Sequence, residues 1–246
     1  MPRIRIWTLE STNDAKVVKH LVGKLVTHLR LGNLSIQTVG GIEFLMYNKR
    51  GQSLGDRIRQ TTQQYLKKDD YVIFVIDNDS PMARHQRRQQ RNSLITQIEL
   101  IAQDSNFSGK VFFAPAIQEL EAWLLIDCLG IFCYFASQRS QYRSDCRDKV
   151  SANQSFVRLL RRYQKGNTEH IVETEIGGNG PKEYLEDFSE QVLRALNPDI
   201  PQKNINRERY HERVSSNLAE YIVIDKETLR RNNSLRKLGN VLAQFK

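Results

Sequence analysis

Charged and apolar side chains alternate in Arg3-Ile4-Arg5-Ile6-Trp7, and this period of two predicts a β-strand from Arg3 to Leu9 that ends at Glu10. The period then lengthens. Ala15, Val18, Leu21, Val22, Leu25, Val26 and Leu29 recur at spacings of three and four, which predicts an amphipathic helix capped by Ser11 or Thr12 and running to about Arg30, ahead of Gly32. Leu34 to Val39 reads as a second strand leading into Gly40-Gly41, where backbone freedom permits a tight turn. Ser53 opens a polar helix through about Leu66, and Tyr71 to Ile76 is continuously apolar, as expected of a central parallel strand covered on both faces. That strand ends at Asp77-Asn78-Asp79. Beyond the Ser80-Pro81 break the pattern predicts a helix from about Ala83 to Ala102, a fourth strand from Lys110 to Ala114 and a helix from about Ala116. Strand and helix alternate four times, which predicts an α/β fold with a doubly wound, mostly parallel sheet whose ligands gather at the carboxyl ends of the strands.

From about Phe132 the pattern changes to helices joined by polar loops, among them Asn153–Tyr163, Pro181–Leu196 and Glu227–Phe245, with a short strand at Tyr221–Ile224 placed to rejoin the sheet. The expected organisation is a catalytic domain over residues 1–130 and an α-rich extension over 131–246 packed on it. A chain of 246 residues with 39% hydrophobic side chains has enough apolar surface for one substantial core and an elaboration. No apolar run approaches the roughly 18–20 residues that span a bilayer, and the start lacks a signal peptide's apolar stretch, so the expectation is a cytoplasmic protein without a membrane partner. Cys128, Cys133 and Cys146 are odd in number, have no zinc-ribbon spacing and are read as buried thiols. The formal net charge of +9 favours an anionic partner.

The chemistry-bearing signal is positional. Glu10 follows the first strand, while Asp77 and Asp79 follow the third, and a parallel sheet delivers these ends to one crevice. Alternate residues of an extended segment share a face, so Asp77 and Asp79 can point together. Asp14 falls in the first helical turn and can face the same place. Such a cluster repels itself unless a cation neutralises it, and its all-oxygen donor set suits Mg²⁺ or Mn²⁺. Two ions at roughly 3.5–4 Å can orient an attacking water and stabilise a leaving oxygen in phosphodiester cleavage. Taken singly, Glu10 and Asp14 also read as an exposed helix start and Asp77-Asn78-Asp79 as a polar turn. Their recurrence at separate strand ends favours the metal site.

Leu9-Glu10-Ser11-Thr12-Asn13-Asp14-Ala15-Lys16 resembles the first motif of the Toprim superfamily, a strand-end glutamate followed by a turn and an acidic helix start, with Ser11 where the family carries glycine. Val39-Gly40-Gly41 looks like that family's glycine-bearing second turn, and Ile76-Asp77-Asn78-Asp79 resembles its Asp-x-Asp motif, in the same order over approximately residues 3 to 125. Within the superfamily the chain is most similar to standalone Toprim-like proteins, some linked to mobile elements or defence, and to the nuclease domains of overcoming-lysogenization-defect proteins. The resemblance implies a Toprim-like sheet with Glu10, Asp77 and Asp79 as catalytic metal ligands. It also implies further ligands in a downstream helix, here Glu119 and Glu121 of Gln118-Glu119-Leu120-Glu121-Ala122-Trp123. On a regular helix residues i and i+2 diverge by about 200°, so both can face one ion only at an irregular start.

Arg84, Arg87, Arg88 and Arg91 follow the aspartate pair at helical spacing and form a candidate phosphate-binding face. A second basic group is Arg158, Arg161, Arg162 and Lys165; a third is Arg230-Arg231 with Arg236 and Lys237. Ile176-Gly177-Gly178-Asn179-Gly180-Pro181-Lys182 is a glycine-rich connection without the Gly-Lys-Ser/Thr ending of a P-loop, and the histidines show no zinc pairing. The expected activity is divalent-metal-dependent nuclease or phosphoesterase chemistry on DNA or RNA. The alternatives are a non-catalytic nucleic-acid-binding or assembly protein that keeps the same shell, and a small-molecule phosphohydrolase. Oligomeric state, a homo-oligomer included, and protein partners are left open.

Overall fold

A computed structural model describes residues 1–41, 52–78, 93–137, 139–171 and 180–246. The chain forms two compact units, the first made of Met1–Ile117 and Ser234–Lys246 and the second of Gln118–Asn233. The division falls at Ile117/Gln118, not near residue 130, and the last thirteen residues belong to the first unit.

In the first unit the expected alternation is present as β1 (Arg3–Thr8), α1 (Thr12–His28), β2 (Ser35–Gly40), α2 (Leu54–Leu66), β3 (Tyr71–Val75), β4 (Asp77–Asn78), α3 (Leu94–Ala102), β5 (Val111–Phe113) and β6 (Ala116–Ile117). Ser11 caps α1 by accepting from the Asp14 N–H, and Ser53 caps α2 in a reciprocal capping box with Asp56. Four strands form one parallel sheet in the order β2-β1-β3-β5. The helix expected from Ala83 to Ala102 instead starts at Leu94, because Ser93 takes ψ 128° as its N-cap; residues 83–92 lie outside the described residues.

Alternation along the strands sorts the core into two faces. Trp7 and Leu9 of β1 and its continuation, Val72, Phe74 and Ile76 of β3 and its continuation, and Val111 of β5 share one cluster with Ile58 of α2 and Ile95, Ile98 and Ile101 of α3. The large side chains among them contribute on the order of 1.5–3 kcal/mol each by leaving water. Arg5 falls on the same side of β1, where its guanidinium lies over the Tyr65 ring at 4.8 Å and pairs with Asp69 at 2.7 Å. Helix α1 packs on β1 and β2 through Val18, Leu21, Val22 and Leu25. At the carboxyl end of the chain Phe245 stacks on Tyr71, with ring centroids 4.1 Å apart.

Three expectations are corrected. Ala116 does not start a helix, because the chain stays extended there and β6 pairs with β4, Asp77 opposite Ala116 and Asn78 opposite Ile117. Gln118 then takes φ 73°, a conformation that interrupts the helical path, so α4 (Leu120–Leu124) begins later. Tyr221–Ile224 forms no strand: the Val223 N–H donates to Asp127 Oδ2 at 2.8 Å instead of to a sheet. The single helix expected over Glu227–Phe245 is two, α11 (Lys226–Leu229) and α12 (Asn233–Ala243).

The second unit is helical. After α4 come α5 (Cys128–Ala136), α6 (Cys146–Ala152), α7 (Gln154–Tyr163), α8 (Pro181–Leu196), α9 (Gln202–Glu208), α10 (Ser215–Ala219) and α11. Phe132 meets Phe156, and Tyr163 stacks on Phe188, each with ring centroids 4.8 Å apart. Cys133 and Cys146, read from the sequence as thiols, are joined in a disulfide, because the turn through Asp145, at φ 55°, folds α6 back on α5 and leaves the two Cα atoms 5.8 Å apart. Cys128 remains a buried thiol, and burial pushes its pKa up to about 12.

Candidate functional site

The order β2-β1-β3-β5 places a switch point between β1 and β3. From β1 the chain crosses through α1 to β2 on one side, while β3 lies on the other, so the connections leave in opposite directions. In open parallel sheets this is where a crevice opens beyond the carboxyl ends of the strands. Parallel pairing sets Thr8 against Val75, so Glu10 and Asp77, each two residues further, stand at the same level past the last rung.

The Glu10 side chain reaches the Asp77 backbone there. The Asp77 N–H donates to Glu10 Oε2 at 3.0 Å, which puts the Glu10 carboxylate across the mouth between the two strand ends. Glu10 is exposed and Asp77 and Asp14 are partly so, which leaves the site open to solvent. Asp14 belongs to the first turn of α1, where its N–H is held by the Ser11 hydroxyl at 3.0 Å.

The loop that carries Glu10 is pinned from two directions. Thr8 Oγ1 lies 3.2 Å from the carbonyl oxygens of both Ser11 and Val39, and the Gly41 N–H donates to Thr8 O at 2.9 Å. Gly40 allows this closeness: a Cβ there would stand 2.4 Å from Ser11 O, 2.7 Å from Ala15 Cβ and 2.8 Å from Thr12 Cα. Gly41 takes φ 81°, the left-handed turn expected of the glycine pair. Thr8 carried no signal in the sequence, since its role is visible only once β1 and β2 are side by side.

Asp79, Arg84, Arg87, Arg88 and Arg91 lie outside the described residues. Among the described residues no group of three or more His, Cys, Asp and Glu side chains is placed to hold a metal ion. Glu10 and Asp77, which stand at adjacent strand ends, carry the hard oxygen donors that Mg²⁺ and Mn²⁺ take. Mg²⁺ is commonly held by only one or two carboxylates with water completing its shell, so the donor set fits.

Glu119 and Glu121 belong to the second unit, and each is engaged there. Glu119 is the extended residue that caps α4, and its Oε2 also accepts from the Lys182 N–H at 3.2 Å. Glu121 Oε1 accepts from the Tyr210 hydroxyl at 2.6 Å. The Lys182 ammonium is ion-paired with Glu212, which raises its pKa, and the charges of Glu121 and Glu119 add to this. Tyr210 is buried, and its pKa is pushed well above the ordinary value by desolvation and then by the Glu121 charge. Nothing in the sequence marked the Lys182 amide as the partner of Glu119 or Tyr210 as the partner of Glu121.

No protein-family profile, curated protein or solved structure matches this chain. Among the described residues no helix is long and apolar enough to cross a membrane.

Proposed function

We propose that this chain is a Toprim-like, divalent-metal-dependent phosphodiesterase acting on nucleic acid, with Glu10 and Asp77 at its centre. The carrying observation is the 3.0 Å hydrogen bond from the Asp77 N–H to Glu10 Oε2 at the switch point of a parallel sheet. It holds the Glu10 carboxylate against the backbone of Asp77, a residue 67 positions further along the chain. The order of the Glu10, Gly40-Gly41 and Asp77 segments, which resembles the Toprim superfamily, supports the same reading, as does a net charge of +9 suited to a polyanion.

In this reading the Asp77 amide holds one oxygen of Glu10 and fixes its rotamer. Asp77 supplies the second carboxylate and Asp14 lies at the rim to orient water. A bound Mg²⁺ or Mn²⁺ would polarise the phosphoryl oxygen and lower the pKa of an attacking water. The Ser11–Thr8–Val39 contacts hold the Glu10 loop in position before substrate arrives, which avoids reorganisation during the reaction.

The test incubates the full chain with single- and double-stranded DNA and RNA in Mg²⁺, in Mn²⁺ and in EDTA, beside Glu10→Gln and Asp77→Asn. Metal-dependent cleavage that falls by about 10²-fold or more in both variants, with about tenfold weaker Mn²⁺ affinity by paramagnetic resonance, is the expected result. Cleavage undiminished in Asp77→Asn sinks the assignment. Salt-sensitive binding without cleavage in either metal points instead to a non-catalytic binding protein.

A further inference from the structure

Helix α7 has a one-sided charge pattern that the proposed reaction does not use. Arg158, Arg161 and Arg162 stand at i, i+3 and i+4, and Lys165 follows just beyond the carboxyl end of the helix, after the extended Gln164. At about 100° per residue the buried Phe156, Leu160 and Tyr163 fall on the opposite side. All four cations are exposed, and none forms an ion pair among the described residues. No acidic residue occurs from Val150 to Gly166.

Helix polarity alone does not account for this. Cations in a last turn offset the carboxyl-terminal dipole, which explains Arg161 and Arg162. It does not explain Arg158, nor the lack of the interleaved acids that a merely solvated helix face carries. Asp187 of α8 comes near, but it is engaged by the Tyr163 hydroxyl. Two of the cations rest on rings of the same unit: Arg162 lies 5.6 Å from the Tyr163 centroid and Lys165 lies 5.4 Å from that of Tyr184. Tyr184 in turn donates its hydroxyl to Tyr163 O at 2.9 Å. Side chains held in this way lose less freedom when a ligand binds.

We propose that this face of α7 is a docking surface for the phosphate backbone of a nucleic acid, an inference that rests on the nucleic-acid reading above. From Arg158 to Arg162 the stripe runs for about 6 Å along the helix, with Lys165 past its end; over that length duplex DNA presents on the order of three to four phosphate charges. Three of the four cations are arginines, whose planar fork matches phosphate oxygens. A membrane is the poorer partner, because an interfacial helix must offer its apolar side to lipid, and that side of α7 is buried within its own unit.

Fluorescence anisotropy in EDTA, with a short labelled duplex DNA and a single-stranded RNA, measures affinity of the full chain across a salt series. The variant Arg158→Gln/Arg161→Gln/Arg162→Gln/Lys165→Gln is expected to lower the slope of log affinity against log salt by about 0.9 for each duplex phosphate no longer neutralised, so by roughly 2–4. The milder Arg158→Gln/Arg161→Gln pair, checked for an unchanged thermal melt, is expected to give about half that change. Lys203→Gln/Arg207→Gln, elsewhere on the same unit, should leave the slope alone. A wild-type slope in the fourfold variant overturns the surface while leaving the metal-dependent activity standing. A reduced slope without any metal-dependent cleavage keeps the surface and removes the activity. Wild-type protein that binds no polynucleotide, or prefers anionic phospholipid vesicles, overturns the proposal.

Discussion

Gly40→Ala tests whether the Glu10 loop depends on the close approach of β2 to the start of α1. A methyl group at position 40 would stand 2.4 Å from a carbonyl oxygen and 2.8 Å from a Cα, both backbone atoms that cannot rotate aside. Ordinary van der Waals separation needs the Ser11 carbonyl to retreat by about 1 Å. Overpacking of this kind costs about 1–3 kcal/mol, offset by roughly 0.4–1 kcal/mol from the stiffer unfolded chain, for a net loss of about 1–2 kcal/mol. The functional effect should be larger than the stability effect, because Ser11 adjoins Glu10 and a misplacement of about 1 Å in a reacting group can cost about 10²-fold in rate. Urea unfolding gives the first quantity, and metal-dependent cleavage with Mn²⁺ affinity gives the second. Gly32→Ala, where a Cβ meets nothing within 4 Å, is the control expected to change neither. A Gly40→Ala protein with wild-type midpoint and wild-type cleavage refutes the reasoning.

Other outcomes follow from the second unit. Tyr210→Phe removes the hydroxyl that donates to Glu121 at 2.6 Å and should destabilise by about 1–3 kcal/mol in chemical denaturation. Separating Cys133 from Cys146 by Cys133→Ser opens a link across 13 residues and should cost on the order of 3 kcal/mol, measured against the oxidised wild type. Cys128 has its pKa raised from 9.0 to about 12, so the unfolded chain releases that proton first. Its contribution is present below pH 9 and is lost between about pH 9 and pH 12, with stability falling by about 1.4 kcal/mol per unit within that window. Cys128→Ala should flatten this alkaline limb of a pH series of denaturant melts.

Most of the sheet was legible because its signals are local. The apolar run at Tyr71–Val75, the Ser53 cap and the glycine pair at 40–41 each carry their own physical reason within a few residues. What escaped depended on distant partners. The apolar Ala116-Ile117 fits a helix or a strand by pattern, and pairing with Asp77-Asn78 decides for strand. The Val223 amide is claimed by Asp127, 96 residues away, so a segment rich in β-branched residues forms no ladder. The disulfide needed a turn at Asp145 that no spacing rule announces. At the candidate site, the alignment of Glu10 with Asp77 was foreseeable from strand ends alone. The ties of Glu119 to the Lys182 amide and of Glu121 to the Tyr210 hydroxyl were not.

The first unit is discontinuous in sequence, with its sheet complete by Ile117 and its last helix contributed only after Asn233. Made from the amino terminus, the nascent chain therefore releases all of the helical unit before Phe245 can reach Tyr71. Until Phe245 has been made, Tyr71 and Phe112 lack the ring that packs against both of them.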